Sequence, residues 1–93
     1  MIKSWKNSSS EKAAFGLKTK GFGSLDRTIL AKRLAVLNAA TSLDDIPPLK
    51  SINLHVLKGD RKGQWAINVN GPWRVCFKFK DGHAYDVEIV GYH

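Results

Sequence analysis

Two dipeptides, Asn70-Gly71 and Asp81-Gly82, constrain what this chain can fold into more than any other feature. Each suits a two-residue turn whose central residues both have positive φ, the turn that matches the twist of paired antiparallel strands. The apolar residues around them recur with period 2. Trp65, Ile67 and Val69 alternate with Ala66 and Asn68 before the first turn. After it, Trp73, Val75, Phe77 and Phe79 share one face and Arg74, Cys76, Lys78 and Lys80 the other. Tyr85, Val87 and Ile89 follow the second turn, and Leu54-His55-Val56-Leu57 reads as one more short strand. Two adjacent hairpins make an antiparallel meander.

The N-terminal half has a different period. Ile2 to Trp5 reads as a short first strand. Ser8 with Glu11 forms a capping-box pattern, and a short helix over 11–15 should stop at Gly16. Lys18 to Gly23 is a loop. Ser24 is placed to cap a longer helix, with Asp26 favourable in its first turn. Leu30, Leu34 and Leu37 fall on one helical face, widened by Ile29 and Val36, while Arg27, Lys32 and Arg33 project away from it. The helix should end near Ala40, and Asp44-Asp45 with Pro47-Pro48 form a connector. The expected fold class is α+β in a single domain, residues 1–93. A short N-terminal strand and two helices pack on the meander, the leucine stripe covers its aromatic face, and the face with Arg74 and Lys78 stays open to water.

Charge gives the first functional pointer. The 93 residues hold 15 Lys and Arg against 8 Asp and Glu, a net charge of +7. Residues 1–33 and residues 50–80 each carry a net +6, and the second block also holds Trp65 and Trp73. Such a balance favours a polyanionic partner. Basic residues among aromatics suit single-stranded nucleic acid, although Trp65 and Trp73 lie on the predicted core face and fit a packing role better. Lys58, Arg61, Lys62, Arg74 and Lys78 are the candidate phosphate contacts. No apolar run approaches the ~20 residues of a membrane span, and no apolar stretch follows the basic N-terminus as in a signal peptide. One cysteine, Cys76, fits a reducing compartment, so the expectation is a cytoplasmic protein with no membrane association. His55, His83 and His93 lie too far apart for a structural zinc pattern, and neither metal nor cofactor is expected.

RNA carries its own nucleophile, the 2′-hydroxyl. A metal-free ribonuclease needs a base for that proton, an acid for the leaving 5′-oxygen and cations for the phosphorane charge. His55, Tyr92, His93, Arg74 and Lys58 are side chains of the types those roles require.

The string itself is more specific than its composition. Leu54-His55-Val56-Leu57-Lys58-Gly59-Asp60-Arg61-Lys62-Gly63-Gln64-Trp65 resembles the L-H-x-L-K-G-x-R-x-G-x-W segment of the HigB toxins, in the RelE-like superfamily. Asn70-Gly71-Pro72-Trp73-Arg74-Val75 is similar to their N-G-x-W-R-[IV] hairpin. Asp81-Gly82-His83-Ala84-Tyr85-Asp86 is similar to their second turn, Tyr92-His93 to their terminus and Met1-Ile2-Lys3-Ser4-Trp5 to their opening.

The resemblance implies a RelE-like fold and a ribosome-dependent mRNA interferase. Such toxins enter the A site and cut the messenger by 2′-hydroxyl attack. It implies a HigA-type helix-turn-helix antitoxin as partner, with operator DNA reached only through the antitoxin complex. By position, His55, Tyr92 and His93 carry over as active-site residues, and Lys58 and Arg74 as phosphate or transition-state contacts. Many relatives carry Asp where this chain has Gly91. The rival expectation is a module of the same fold that binds RNA, the ribosome or an antitoxin without turnover.

Overall fold

The computed structural model describes residues 1–92; His93 lies outside the described residues. Helices α1 (Ser8–Ala14) and α2 (Arg27–Ala39) precede four strands: β1 (His55–Val56), β2 (Trp65–Asn68), β3 (Trp73–Lys80) and β4 (His83–Gly91). Short 3-10 turns occupy Leu43–Asp45 and Gly59–Arg61. The strands form one antiparallel sheet in the order β1-β2-β3-β4. This is the expected meander under two helices.

The Asp81-Gly82 turn behaves as expected, with φ of 51° and 80° and Lys80 opposite His83. The Asn70-Gly71 turn does not. Only Gly71 has positive φ, at 49°, and the Val69 N–H donates to the Trp73 carbonyl at 3.0 Å across a three-residue loop. Asn70 is spent on tertiary contacts instead. Its Oδ1 accepts from the Asp26 N–H at 2.8 Å and its Nδ2 donates to the Ser24 carbonyl at 2.9 Å. The hairpin tip is thereby tied to the entrance of α2.

Both helix caps sit beside the expected ones. Asn7, not Ser8, caps α1 by accepting from the Ser10 N–H, and the helix begins at Ser8. Asp26, not Ser24, caps α2 by accepting from the Ile29 N–H. Ser24 Oγ accepts from Trp73 Nε1 at 2.9 Å. Either pair of neighbours satisfies the capping preference; tertiary demand decides which one is free to cap.

Leu30 and Leu37 are buried in one core with Trp73, Val75 and Phe77, with Leu34 packed at its margin. Arg27 and Arg33 do not simply project outward. Arg27 Nη1 donates to the Ala13 and Leu17 carbonyls, and Arg33 Nε donates to the Asn68 carbonyl at 2.8 Å, fastening α2 to α1 and to β2. The alternation along β4 also breaks. Cys76 faces Glu88 but Lys78 faces Tyr85, so β4 holds one extra residue, a bulge at Asp86 with φ of 50°. Ala84, Val87 and Ile89 are therefore the buried set, and Tyr85 is only half-buried.

The expected first strand is present as two isolated bridges, parallel to β4 at Ile2–Ala84 and Trp5–Val87. The bulge interrupts the ladder between them, and the Asp86 N–H donates to Ser4 Oγ. Further along the same edge, buried Ser10 accepts from the Ile89 N–H. The outer edge of β4 is thus covered from the N-terminus through α1, which blunts it against pairing with other chains.

Candidate active site

Residues paired across a ladder point to the same face, so the register builds the site. One row runs His55, Ala66, Cys76, Glu88 across all four strands. The next runs Asn68, Arg74, Val90. This is the face away from the helices. Lys78 continues it along β3, 3.5 Å from the Asp86 carboxylate and exposed.

The densest part surrounds Tyr92. Its N–H donates to the Pro72 carbonyl at 2.8 Å, fixing the chain just past β4. Its hydroxyl lies 3.5 Å from Cys76 Sγ, and Arg74 Cζ sits 5.9 Å from its ring centre. Burial, then the hydrogen bond to Cys76, pushes the Tyr92 hydroxyl pKa above its ordinary value. The phenol keeps its proton at neutral pH and is a donor, not a base. Burial likewise pushes the Cys76 thiol up, so Cys76 is a neutral seat for Tyr92 and not a nucleophile. Arg74 Nη1 donates to the Gly71 and Trp73 carbonyls at 2.8 and 2.9 Å. Those bonds hold the guanidinium over the open face. Among the described residues its Nε and Nη2 make no hydrogen bond.

His55 stands two strands away from Cys76, about 10 Å at the usual strand spacing. Its Nδ1 is 2.7 Å from the Asn53 carbonyl. A carbonyl only accepts, so Nδ1 carries the hydrogen and the neutral ring presents Nε2 as its acceptor. Asn53 reaches this position with φ of 47°, which Asn tolerates better than most residues.

The remaining predicted residues divide. Lys58 and Lys62 are exposed on the loop between β1 and β2, flanking the 3-10 turn. Arg61, in the same turn, is not a free cation: its Nη1 is 2.9 Å from Glu88 Oε1. Trp65 and Trp73 are on the helix-covered face and pack with the core, as the alternation predicts. Gly91 pairs with Trp73 in the ladder. His93 lies outside the described residues.

Sequence reading left out Glu88, Gln64 and Asn68, and did not recognise Cys76 as part of the site. The signal was available for two of them. Cys76 alternates with the apolar Val75 and Phe77, and Glu88 with the apolar Val87 and Ile89, which puts both on the face away from the core, with Arg74. Asn68 pairs with Arg74, and its Oδ1 is buried with no hydrogen-bond partner among the described residues.

The site lies on the open face of the sheet. Three surface grooves lie elsewhere: one lined by the connector around Leu43 and Leu54, one by Trp5, Phe15 and Leu34, and one by Lys18 to Arg27. An open basic face suits a polymer better than an enclosed small molecule.

Known proteins agree with this architecture. Over 98% of the chain, and 93% of the other protein, the fold superposes on the crystal structure of a histidine-to-glutamine mutant of YafQ from E. coli, with a TM-score of 0.61 at 18% identity. In sequence the chain is 34% identical to Endoribonuclease HigB of Proteus vulgaris over 93 residues, covering the whole of both. The family model of the HigB-like toxins, described as RelE-like toxins of the type II toxin–antitoxin system HigB, matches residues 16–93. With the meander, the two covering helices and the basic open face in place, this chain belongs to the HigB-like toxin family of type II toxin–antitoxin systems.

Proposed function

We propose that this toxin is a metal-independent endoribonuclease that cuts mRNA in the ribosomal A site and so inhibits translation. The observation that carries this reading is the Arg74–Tyr92–Cys76 cluster facing His55 across the open sheet. The 2′-oxygen attacks the adjacent phosphorus, a 2′-O–P bond forms and the P–O5′ bond breaks. His55 Nε2 takes the 2′ proton, and the Tyr92 hydroxyl gives a proton to the leaving 5′-oxygen. Arg74 offers its unspent Nε and Nη2 to the phosphorane oxygens, a charge-assisted contact. The products are a 2′,3′-cyclic phosphate, open to hydrolysis to a 3′-phosphate, and a 5′-hydroxyl. A base and an acid each need a hydrogen bond of about 2.6–3.2 Å to their oxygens. The ~10 Å between β1 and β3 leaves room for that phosphate between His55 and Tyr92.

The relative named Endoribonuclease HigB supports the reaction class. His93 is assigned to the site through its place in the Tyr-His terminus. Lys58, Lys62 and Lys78 line the path of the messenger backbone. The partner is a HigA-type helix-turn-helix antitoxin, and operator DNA is met only in that complex. The work is done in the cytoplasm, where messenger and ribosomes meet.

The test is single-turnover cleavage of a messenger on programmed ribosomes, with product ends identified. Wild type should give 5′-hydroxyl ends in the A-site codon, and His55→Gln, which removes the proposed base, should slow cleavage by about 10²–10⁴-fold while retaining ribosome binding. Wild type that binds ribosomes without cutting would establish the non-catalytic rival.

A further inference from the structure

Arg61 lies in the loop whose cations face RNA, yet its charge is already used. Its Nη1 donates to Glu88 Oε1 at 2.9 Å and to Gln64 Oε1 at 3.2 Å. The paired side chains are 31% and 21% exposed, more sheltered than an ordinary surface ion pair. The hydrogen bond to Glu88 also raises the guanidinium pKa.

The partners come from distant parts of the sheet. Arg61 ends the 3-10 turn Gly59–Arg61 between β1 and β2, and Glu88 lies within β4. Lys58 is the N-cap residue of that turn and Lys62 follows it. Gly59 and Gly63 have φ of 66° and 91°, left-handed conformations that glycine adopts without strain and that let the loop reverse. The loop's backbone bonds are local: the Arg61 N–H reaches the Lys58 carbonyl at 3.4 Å and the Lys62 N–H the Gly59 carbonyl at 3.0 Å. Among the described residues, the Arg61 side chain alone ties residues 58–63 to β4 by a hydrogen bond or ion pair.

We infer that the Arg61–Glu88 pair is a latch that pins the Lys58 turn across the open face, making Arg61 and Glu88 positioning residues for cleavage and not RNA ligands. The inference rests on the ribonuclease reading above. Glu88 separates it from the simpler idea that Arg61 waits for a phosphate. If Arg61 were a reserve phosphate ligand, Glu88 would compete with RNA, and Glu88→Gln would tighten binding. As a latch, Glu88→Gln loses the ion pair and keeps only a neutral acceptor for Arg61, so the turn loosens, the cleavage rate falls and binding does not tighten.

The experiment compares wild type, Glu88→Gln, Arg61→Ala and the charge-swapped double variant Arg61→Glu/Glu88→Arg. Amide hydrogen exchange across Lys58–Gly63 is measured in the free protein, and single-turnover rate and ribosome affinity on programmed ribosomes. Both single variants should exchange faster over those amides. Their rates should fall at least about tenfold, since displacing a reacting group by ~1 Å costs up to on the order of 10²-fold. Ribosome affinity should change little, and the swapped pair should recover exchange protection and much of the rate. Unchanged exchange overturns the latch. Faster exchange with a wild-type rate overturns its positioning role. Tighter binding by Glu88→Gln establishes the phosphate-ligand reading instead. Absence of cleavage by wild type is seen before any variant is compared and defeats the ribonuclease reading; exchange then decides the latch by itself.

Discussion

The Tyr92 hydroxyl rests 3.5 Å from the sulfur of Cys76, and this contact joins the end of the chain to the middle of the sheet. The residue is 41% exposed, but its hydroxyl end meets a side chain that is fully buried. Burial and that bond favour the neutral phenol. A phenol held neutral can donate to a leaving oxygen while its ring remains available to Arg74 and to a base.

Tyr92→Phe keeps the ring, the Arg74 stacking and the backbone bond to Pro72, and removes the hydroxyl with its proton and its contact to Cys76. Single-turnover cleavage should fall by about 10²–10⁴-fold, the usual weight of general acid–base catalysis. Ribosome affinity should be nearly unchanged. The raised pKa also fixes a pH dependence. The wild-type rate should not decline through loss of the Tyr92 proton until the pH passes the ordinary phenol range, roughly pH 10. A Phe variant that cuts at the wild-type rate would place the acid elsewhere.

Arg74 tests charge stabilisation separately. Arg74→Ala removes the cation over Tyr92 and should cost on the order of 10²–10³-fold, as loss of one transition-state donor does. Arg74→Lys keeps the charge but loses the planar fork and the grip on the Gly71 and Trp73 carbonyls. It should recover only part of the rate. Full recovery by lysine would reduce Arg74 to a generic phosphate contact.

The meander was readable in the sequence because its signals are local. Asp81-Gly82 forms the turn its residues prefer, and Trp73, Val75 and Phe77 bury the face their alternation marks. The departures occur where a long-range partner claims a residue. Asn70 prefers a positive-φ turn site but is taken by Asp26 and Ser24, so the turn is rebuilt around Gly71. Ser24 is taken by Trp73, so Asp26 caps the helix. The bulge at Asp86 puts Ala84 inside, and no periodicity announces a single inserted residue. The site follows the same rule. Arg74 was legible from its strand face, whereas Arg61 looked like one more loop cation because Glu88, its partner, is remote in sequence.

Asn70 should accordingly carry more stability than a hairpin-loop residue usually does. Asn70→Ala loses the bond accepted from Asp26 and the bond donated to Ser24, both at the N-terminus of α2. The cost should be about 1–3 kcal/mol. For a domain this size, each kcal/mol corresponds to roughly 4–8 °C in the melting temperature. Asn70→Asp keeps the acceptor for the Asp26 N–H and loses the donor, so it should fall between wild type and Ala in urea unfolding. An Ala variant as stable as wild type would show that Gly71 and Pro72 alone hold the hairpin.

Cys76 provides the last test, because its burial affects reactivity and stability together. The thiol is buried between the strands with Tyr92 over it, and burial holds its pKa above the free value. A thiol in this state is a poor nucleophile, so iodoacetamide should label native protein far more slowly than urea-unfolded protein. The same shift sets a pH window for stability. Below roughly pH 8.5, where a free thiol ionises, folded and unfolded chains both hold the proton and the shift costs nothing. Above it the unfolded chain releases a proton that the folded chain retains, so the unfolding free energy should fall as the pH rises. The raised Tyr92 pKa adds to this decline at still higher pH. Cys76→Ala removes the thiol's part of the slope, which urea titrations at several alkaline pH values would show, although the emptied volume lowers stability at every pH. If native Cys76 is labelled as fast as the unfolded chain, the thiol is exposed and cannot be the seat that fixes Tyr92.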